Sequence, residues 1–115
     1  MSDELIVIDD NNIEQFISET DCPFILEFWA KWCPSCVTMG EVLKSLSHDY
    51  SDKIKFCSVD VETSPDLSEN IEYTPTLIFF SDGKIVGLIE GAVTEEIVKT
   101  AIETVLSGKE FELET

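Results

Sequence analysis

Cys33-Pro34-Ser35-Cys36 sets two thiols three positions apart, between the apolar run Phe24-Ile25-Leu26-Glu27-Phe28-Trp29-Ala30 and the helical pattern of Met39, Val42, Leu43 and Leu46. In a first helical turn, i and i+3 side chains lie roughly 5–6 Å apart at Cβ. A modest adjustment from there closes a disulfide. The first sulfur falls at a helix N-terminus, where unpaired N–H groups and the macrodipole favour a thiolate. The chemistry is reversible thiol–disulfide exchange, with Cys33 as nucleophile and Cys36 as the thiol that resolves the mixed disulfide. A structural staple would gain little, because so short a loop has little closure entropy to remove. Two other readings fit the residues alone. One is a pair of buried core cysteines. The other is zinc, for which a lone CxxC lacks a second ligand pair, since Cys22, Cys57 and His48 fall at no recognised spacing.

The neighbours of this pair carry chemistry of their own. Ser35 has a hydroxyl that either donates toward a sulfur or satisfies a first-turn N–H. Pro34 stiffens the loop and suits the first turn, where a missing N–H costs nothing. Glu27 breaks the apolar run. A carboxyl buried there has a raised pKa, whereas one at the strand end touches water. Trp32 offers an apolar docking surface beside Cys33, and Trp29 reads as core. Cys22, next to Pro23, reads as an accessible thiol and Cys57 as a small buried hydrophobe. A Cys22–Cys57 bridge is disfavoured in a reducing compartment.

The elements that must position these groups follow from periodicity. Residues 5–8 read as a short strand. Asp10, Asn11 and Asn12 offer N-caps for a helix with Ile13, Phe16 and Ile17 on one face. Residues 24–29 form a strand apolar on both faces, hence central in its sheet. The helix after Cys33 runs to about Tyr50. Residues 54–59 give a third strand, and residues 65–70 a short helix. Residues 76–80 and 84–89 pair as a hairpin around Ser81-Asp82-Gly83, with Gly83 supplying a positive φ. Thr94 caps a last helix with Ile97, Val98, Ala101, Ile102, Val105 and Leu106 at helical spacing. The charged tail, residues 109–115, reads as frayed or lying on the surface. The order is β-α-β-α-β-α-β-β-α, a mixed sheet with helices on both faces.

Composition bounds the class. A chain of 115 residues is expected to form one domain with one core, and its 43% apolar content is that of a folded protein. Seven Lys+Arg against 24 Asp+Glu give a net charge of −17, which argues against nucleic acid and anionic membrane as partners. It fits an acidic, solvated surface equally with basic or neutral protein partners. The acidic start and four consecutive apolar residues fit no signal peptide, and no stretch approaches a membrane span. A cytoplasmic location is expected. A CxxC near a βαβ pattern in a cytosolic protein is a redox signature.

The chain resembles the thioredoxin family. Phe28-Trp29-Ala30-Lys31-Trp32-Cys33-Pro34-Ser35-Cys36 is similar to the family's FWAxWCxxC, and Thr74-Pro75-Thr76 to its cis-proline segment. Asp82-Gly83 falls at its hairpin, and Gly91-Ala92 at the glycine region before its last helix. The order and spacing of these motifs agree over roughly the whole chain. The departures are specific. Pro34-Ser35 replaces the common Gly-Pro. Glu27 appears for a buried aspartate, Phe56 for that acid's lysine partner, and Val37 for a basic residue after the second cysteine. Glu41 takes the place of a helix-kinking proline.

The resemblance implies an α/β thioredoxin fold, with a mixed central sheet of about five strands flanked by four helices. It implies a protein-disulfide reductase acting through Cys33 and Cys36, with Glu27 assisting proton transfer at Cys36. With Phe56 in the lysine position, Glu27 is expected to have lost its cationic neighbour and gained an apolar one. Pro75 is expected in the cis form facing the CxxC, so that the Thr74 backbone pairs with an extended substrate segment. Trp32, Pro34, Ser35 and Gly91 complete the expected substrate surface. The implied partners are disulfide-containing proteins and a thioredoxin reductase or another low-potential donor. No cofactor and no metal are implied, and the chain is expected to act as a monomer. Two other functions remain open: a dedicated electron donor to one reductase, and a binding module of the same fold without turnover.

Overall fold

The computed structural model describes residues 5–114; the acidic start, residues 1–4, and residue 115 lie outside them. The elements run β1 (Ile6–Val7), α1 (Ile13–Glu19), β2 (Phe24–Trp29), α2 (Pro34–Tyr50), β3 (Lys55–Asp60), β4 (Thr76–Ser81), β5 (Lys84–Glu90), α3 (Glu95–Leu106) and β6 (Leu113–Glu114). One six-stranded sheet has the order β1-β3-β2-β4-β5-β6, with two-residue strands at both edges. The β1–β3, β2–β3 and β5–β6 pairs are parallel, while β2–β4 and β4–β5 are antiparallel.

β2 is central because both of its side-chain sets are apolar. Phe24, Leu26 and Phe28 point to one face, with Cys57 and Val59 of β3, against Ile13, Phe16 and Ile17 of α1. Ile25 points to the other, with Phe56, Leu77 and Phe79, against Met39, Leu43 and Leu46 of α2 and Val98, Ile102 and Val105 of α3. Full burial of each such side chain contributes about 1.5–3 kcal/mol. The Asp82-Gly83 turn has φ of 55° and 76°, the positive pair that a two-residue hairpin of this twist requires. Thr94 Oγ1 accepts from the Ile97 N–H at 3.3 Å and caps α3 as expected. Among the described residues, no helix is long and apolar enough to cross a membrane.

Three details depart from the sequence reading. There are three helices, not four: residues 65–70 form successive turns. The Asp10 carboxylate accepts from the N–H groups of Asp66 and Leu67 at 3.1 and 2.8 Å. A single i→i−4 bond, Ser68 N–H to Ser64 O, then gives way to i→i−3 bonds. Asp10 therefore organises this distant loop, and Asn12 is the residue at the N-cap of α1, without a side-chain cap bond. Finally, the tail is docked. Phe111 stacks edge-on with Phe79 at 5.0 Å between centroids, and its N–H donates to Val86 O at 3.0 Å. Its ring occupies the space where Gly87 would carry a Cβ. β6 then extends the sheet beyond β5.

Candidate active site

The site is built where β2 gives way to α2. Ala30, the residue after β2, is buried, and its carbonyl accepts from the Cys33 N–H at 3.2 Å. Cys33 is extended, with φ −111° and ψ 97°, and Pro34 opens α2 at its first position. Cys33 is thus the N-cap, and Cys36 lies one turn inside. The two are joined in a disulfide with Cα atoms 5.3 Å apart. In the oxidised state the two residues are almost equally buried, at 5% and 4% exposure, because both pack on Ala30, Trp29 and Val61. What separates them is their surroundings. Cys33 Sγ lies 3.6 Å from the Ser35 hydroxyl, whereas Cys36 faces a cleft shared with Glu27.

Trp32, Pro34 and Ser35 are exposed around the disulfide, Trp32 at 68%. Trp29 is half-buried: it packs on the cysteine pair and lines the cleft, an intermediate position for a residue read as core. The Thr74–Pro75 bond is cis. The register sets Thr76 opposite Phe28 and Glu90, so Pro75 and Gly91 sit at the same end of the sheet as the cysteine loop. The Gly91 N–H donates to Pro75 O at 2.8 Å and ties these two segments together. Thr76 Oγ1 donates to Tyr73 O at 2.7 Å, and the Tyr73 side chain is exposed. The nine residues expected to form the site, Glu27, Trp32, Cys33, Pro34, Ser35, Cys36, Thr74, Pro75 and Gly91, therefore lie toward one end of the sheet. Tyr73 and Val37 are exposed apolar additions that the sequence reading did not assign to this surface.

Beneath the disulfide, a cleft of about 420 Å³ is lined by Glu27, Trp29, Cys36, Val37, Gly40 and Lys44, among others. Glu27 is only 2% exposed, and its Oε2 has no hydrogen-bond partner. Burial pushes its carboxyl from an ordinary 4.5 to about 7, with the Lys44 ammonium pulling the other way. The loss of a cationic neighbour expected for Glu27 is thus corrected, since Lys44 of α2 supplies one. Ser58 is the register partner of Glu27, and Phe56, two residues back on β3, lies diagonally from it on the same face of the sheet. Sequence reasoning missed Gly40 and Lys44. Their signal was present in the stripe Cys36, Gly40, Lys44 at i, i+4 and i+8 on one helix face. Cys22 and Cys57 are free thiols, with Cys57 fully buried and pushed up to about 12 mainly by that burial.

An α/β domain with a CxxC disulfide capping a helix, a cis-proline at the same sheet end and a buried acid below defines a class of redox-disulfide folds. The thioredoxin family model matches residues 4–104. The chain is 33% identical over 108 residues to thioredoxin M5, chloroplastic, of Oryza sativa subsp. japonica, covering 92% of this chain and 63% of that protein. It is 34% identical over 94 residues to thioredoxin C-2 of Corynebacterium nephridii, covering 80% of this chain and 87% of that protein. With the thioredoxin of Pseudomonas aeruginosa it shares 29% identity over 97 residues, 83% and 90% of the two chains. The chain spans less than two thirds of the length of the plant relatives it matches. It belongs to the thioredoxin family.

Proposed function

We propose that this chain is a protein-disulfide reductase working by dithiol–disulfide exchange. The observation that carries the reading is the Cys33–Cys36 disulfide at the N-terminus of α2, set above the buried carboxyl of Glu27, whose Oε2 has no hydrogen-bond partner. In the reduced protein, Cys33 thiolate attacks a substrate disulfide. One substrate sulfur leaves as a thiolate and the other forms a mixed disulfide with Cys33. Cys36 then loses its proton to Glu27 and attacks Cys33. The Cys33–Cys36 bond forms and the second substrate sulfur leaves. A carboxyl near 7 is matched to this work at neutral pH, being about half ionised. The Ser35 hydroxyl, 3.6 Å from Cys33 Sγ, is placed to donate to the thiolate.

Trp32, Pro34, Thr74, Pro75 and Gly91 form the surface on which an extended substrate segment lies, its backbone paired with that of Thr74. The two electrons are carried by the thiols, so the donor that resets the pair is a thioredoxin reductase or another low-potential dithiol. A reducing compartment such as the cytoplasm fits the free Cys22 and Cys57. The test is insulin reduction, first with dithiothreitol and then with NADPH and a thioredoxin reductase. Thiol-dependent acceleration in both arms is expected. Acceleration only with dithiothreitol points to a dedicated donor with its own reductase, and none in either arm points to a binding module.

A further inference from the structure

The cleft beneath the disulfide holds a group that the exchange reaction as described above does not use. Its floor is Glu27, whose Oε2 is buried without a partner. One wall is the α2 stripe of Cys36, Gly40 and Lys44. Gly40 matters because it brings the helix backbone close: a Cβ built there would lie 3.5 Å from Glu27 Oε1. Lys44 is exposed one turn beyond, at the mouth. Among the described residues that line this cleft, it is the single cation. Leu5, Trp29, Val37 and Ser58 add no charge, and Leu77 of β4, the register partner of Glu27, adds none. The titratable and charged groups facing Glu27 are thus Cys36, Lys44 and the exposed Glu41, all from α2.

We infer that Lys44 is a positioning residue for the resolving step: its ammonium at the cleft mouth keeps Glu27 available as the carboxylate that takes the Cys36 proton. The inference rests on the proposed reductase reading. Without a nearby cation, a buried carboxyl with an unpartnered oxygen would hold its proton more tightly at neutral pH and would be free to accept the Cys36 proton a smaller fraction of the time. Lys44 acts through space, since a flexible, well-hydrated ammonium at the mouth stabilises the charge below without entering the core. The proton moves from Cys36 Sγ to Glu27 and leaves through the open cleft. The Cys33–Cys36 bond forms as the bond to the substrate sulfur breaks. The dithiol is oxidised and the substrate disulfide reduced.

The test is stopped-flow reduction of a fluorescent disulfide peptide by the reduced chain, with peptide in excess so that release from the mixed disulfide is limiting. Wild type, Lys44→Gln and Lys44→Arg are compared from pH 5.5 to 9. For Lys44→Gln the inflection of the release rate should move up by about half a pH unit, which is about a threefold slower release at pH 6 and about twofold at pH 7. Lys44→Arg should restore the wild-type profile. Superimposed profiles for Lys44→Gln and wild type would overturn the inference. So would a loss that is uniform across pH, or a failure of arginine to rescue. Absence of peptide reduction by the wild-type chain would instead overturn the reductase reading itself.

Discussion

Replacing Glu27 with glutamine removes one buried charge and almost no volume, so its effect on stability should depend on pH in a calculable way. The folded carboxyl titrates at about 7 and the unfolded one at the ordinary 4.5. Between these values the folded state holds a proton that the unfolded state has released. Ionisation therefore costs folded stability as pH rises above 4.5, and the cost levels off above 7. At about 1.4 kcal/mol per pH unit, the penalty is about 1 kcal/mol at pH 5 and about 3 kcal/mol at pH 8. Glutamine does not ionise and escapes it. Its buried amide adds an unsatisfied donor, but that cost is the same at both pH values and cancels in the difference. Urea titrations of the oxidised proteins, in which Cys33 and Cys36 cannot titrate, should show Glu27→Gln gaining about 2 kcal/mol on wild type between pH 5 and pH 8. An unchanged gap would refute the reasoning, because it would mean Glu27 ionises as readily folded as unfolded. A gap that narrows with pH would reverse the sign of the shift.

Two further substitutions test the packing that holds the site. Gly87→Ala would put a Cβ inside the Phe111 ring; undocking Phe111 from Phe79 should cost about 2 kcal/mol, read as a lower melting temperature, and an unchanged one would show that the tail seat is not tight. Tyr50 donates to Glu103 Oε2 at 2.6 Å, joining the end of α2 to α3. Tyr50→Phe should lose about 1 kcal/mol by urea titration, since the acceptor carboxylate is exposed to solvent.

The parts of this fold that could be read from the sequence are those where one strong local signal agrees with the tertiary packing. β2 has two apolar faces, α2 has a proline start and a sustained apolar stripe, and Asp82-Gly83 has the residues its turn demands. The CxxC, Glu27, Thr74-Pro75 and Gly91 were legible because their residue types are unusual in their settings. The misreadings are of different kinds. Residues 65–70 carry a helix signal, and the Asp10 carboxylate, 56 and 57 positions away in sequence, accepts from the N–H groups of Asp66 and Leu67 as a cap would, but after one i→i−4 bond the segment tightens to i→i−3 turns and ends. The tail looks too polar to dock, and only the missing Cβ of Gly87 makes room for Phe111. Lys44 looks like any exposed helix lysine until Glu27 is seen at the bottom of the same cleft.

The central claim is that Cys33 attacks and Cys36 releases. It is tested most directly by mass spectrometry of mixed disulfides formed when Cys36→Ser and Cys33→Ser, each reduced, are offered a disulfide-bonded protein such as insulin. Cys36→Ser should accumulate a covalent adduct at Cys33, because attack proceeds and no thiol one turn away can resolve it. Cys33→Ser should accumulate none at Cys36, which lies inside the helix facing the Glu27 cleft. Equal adducts on the two variants, or an adduct on Cys33→Ser alone, would contradict the account.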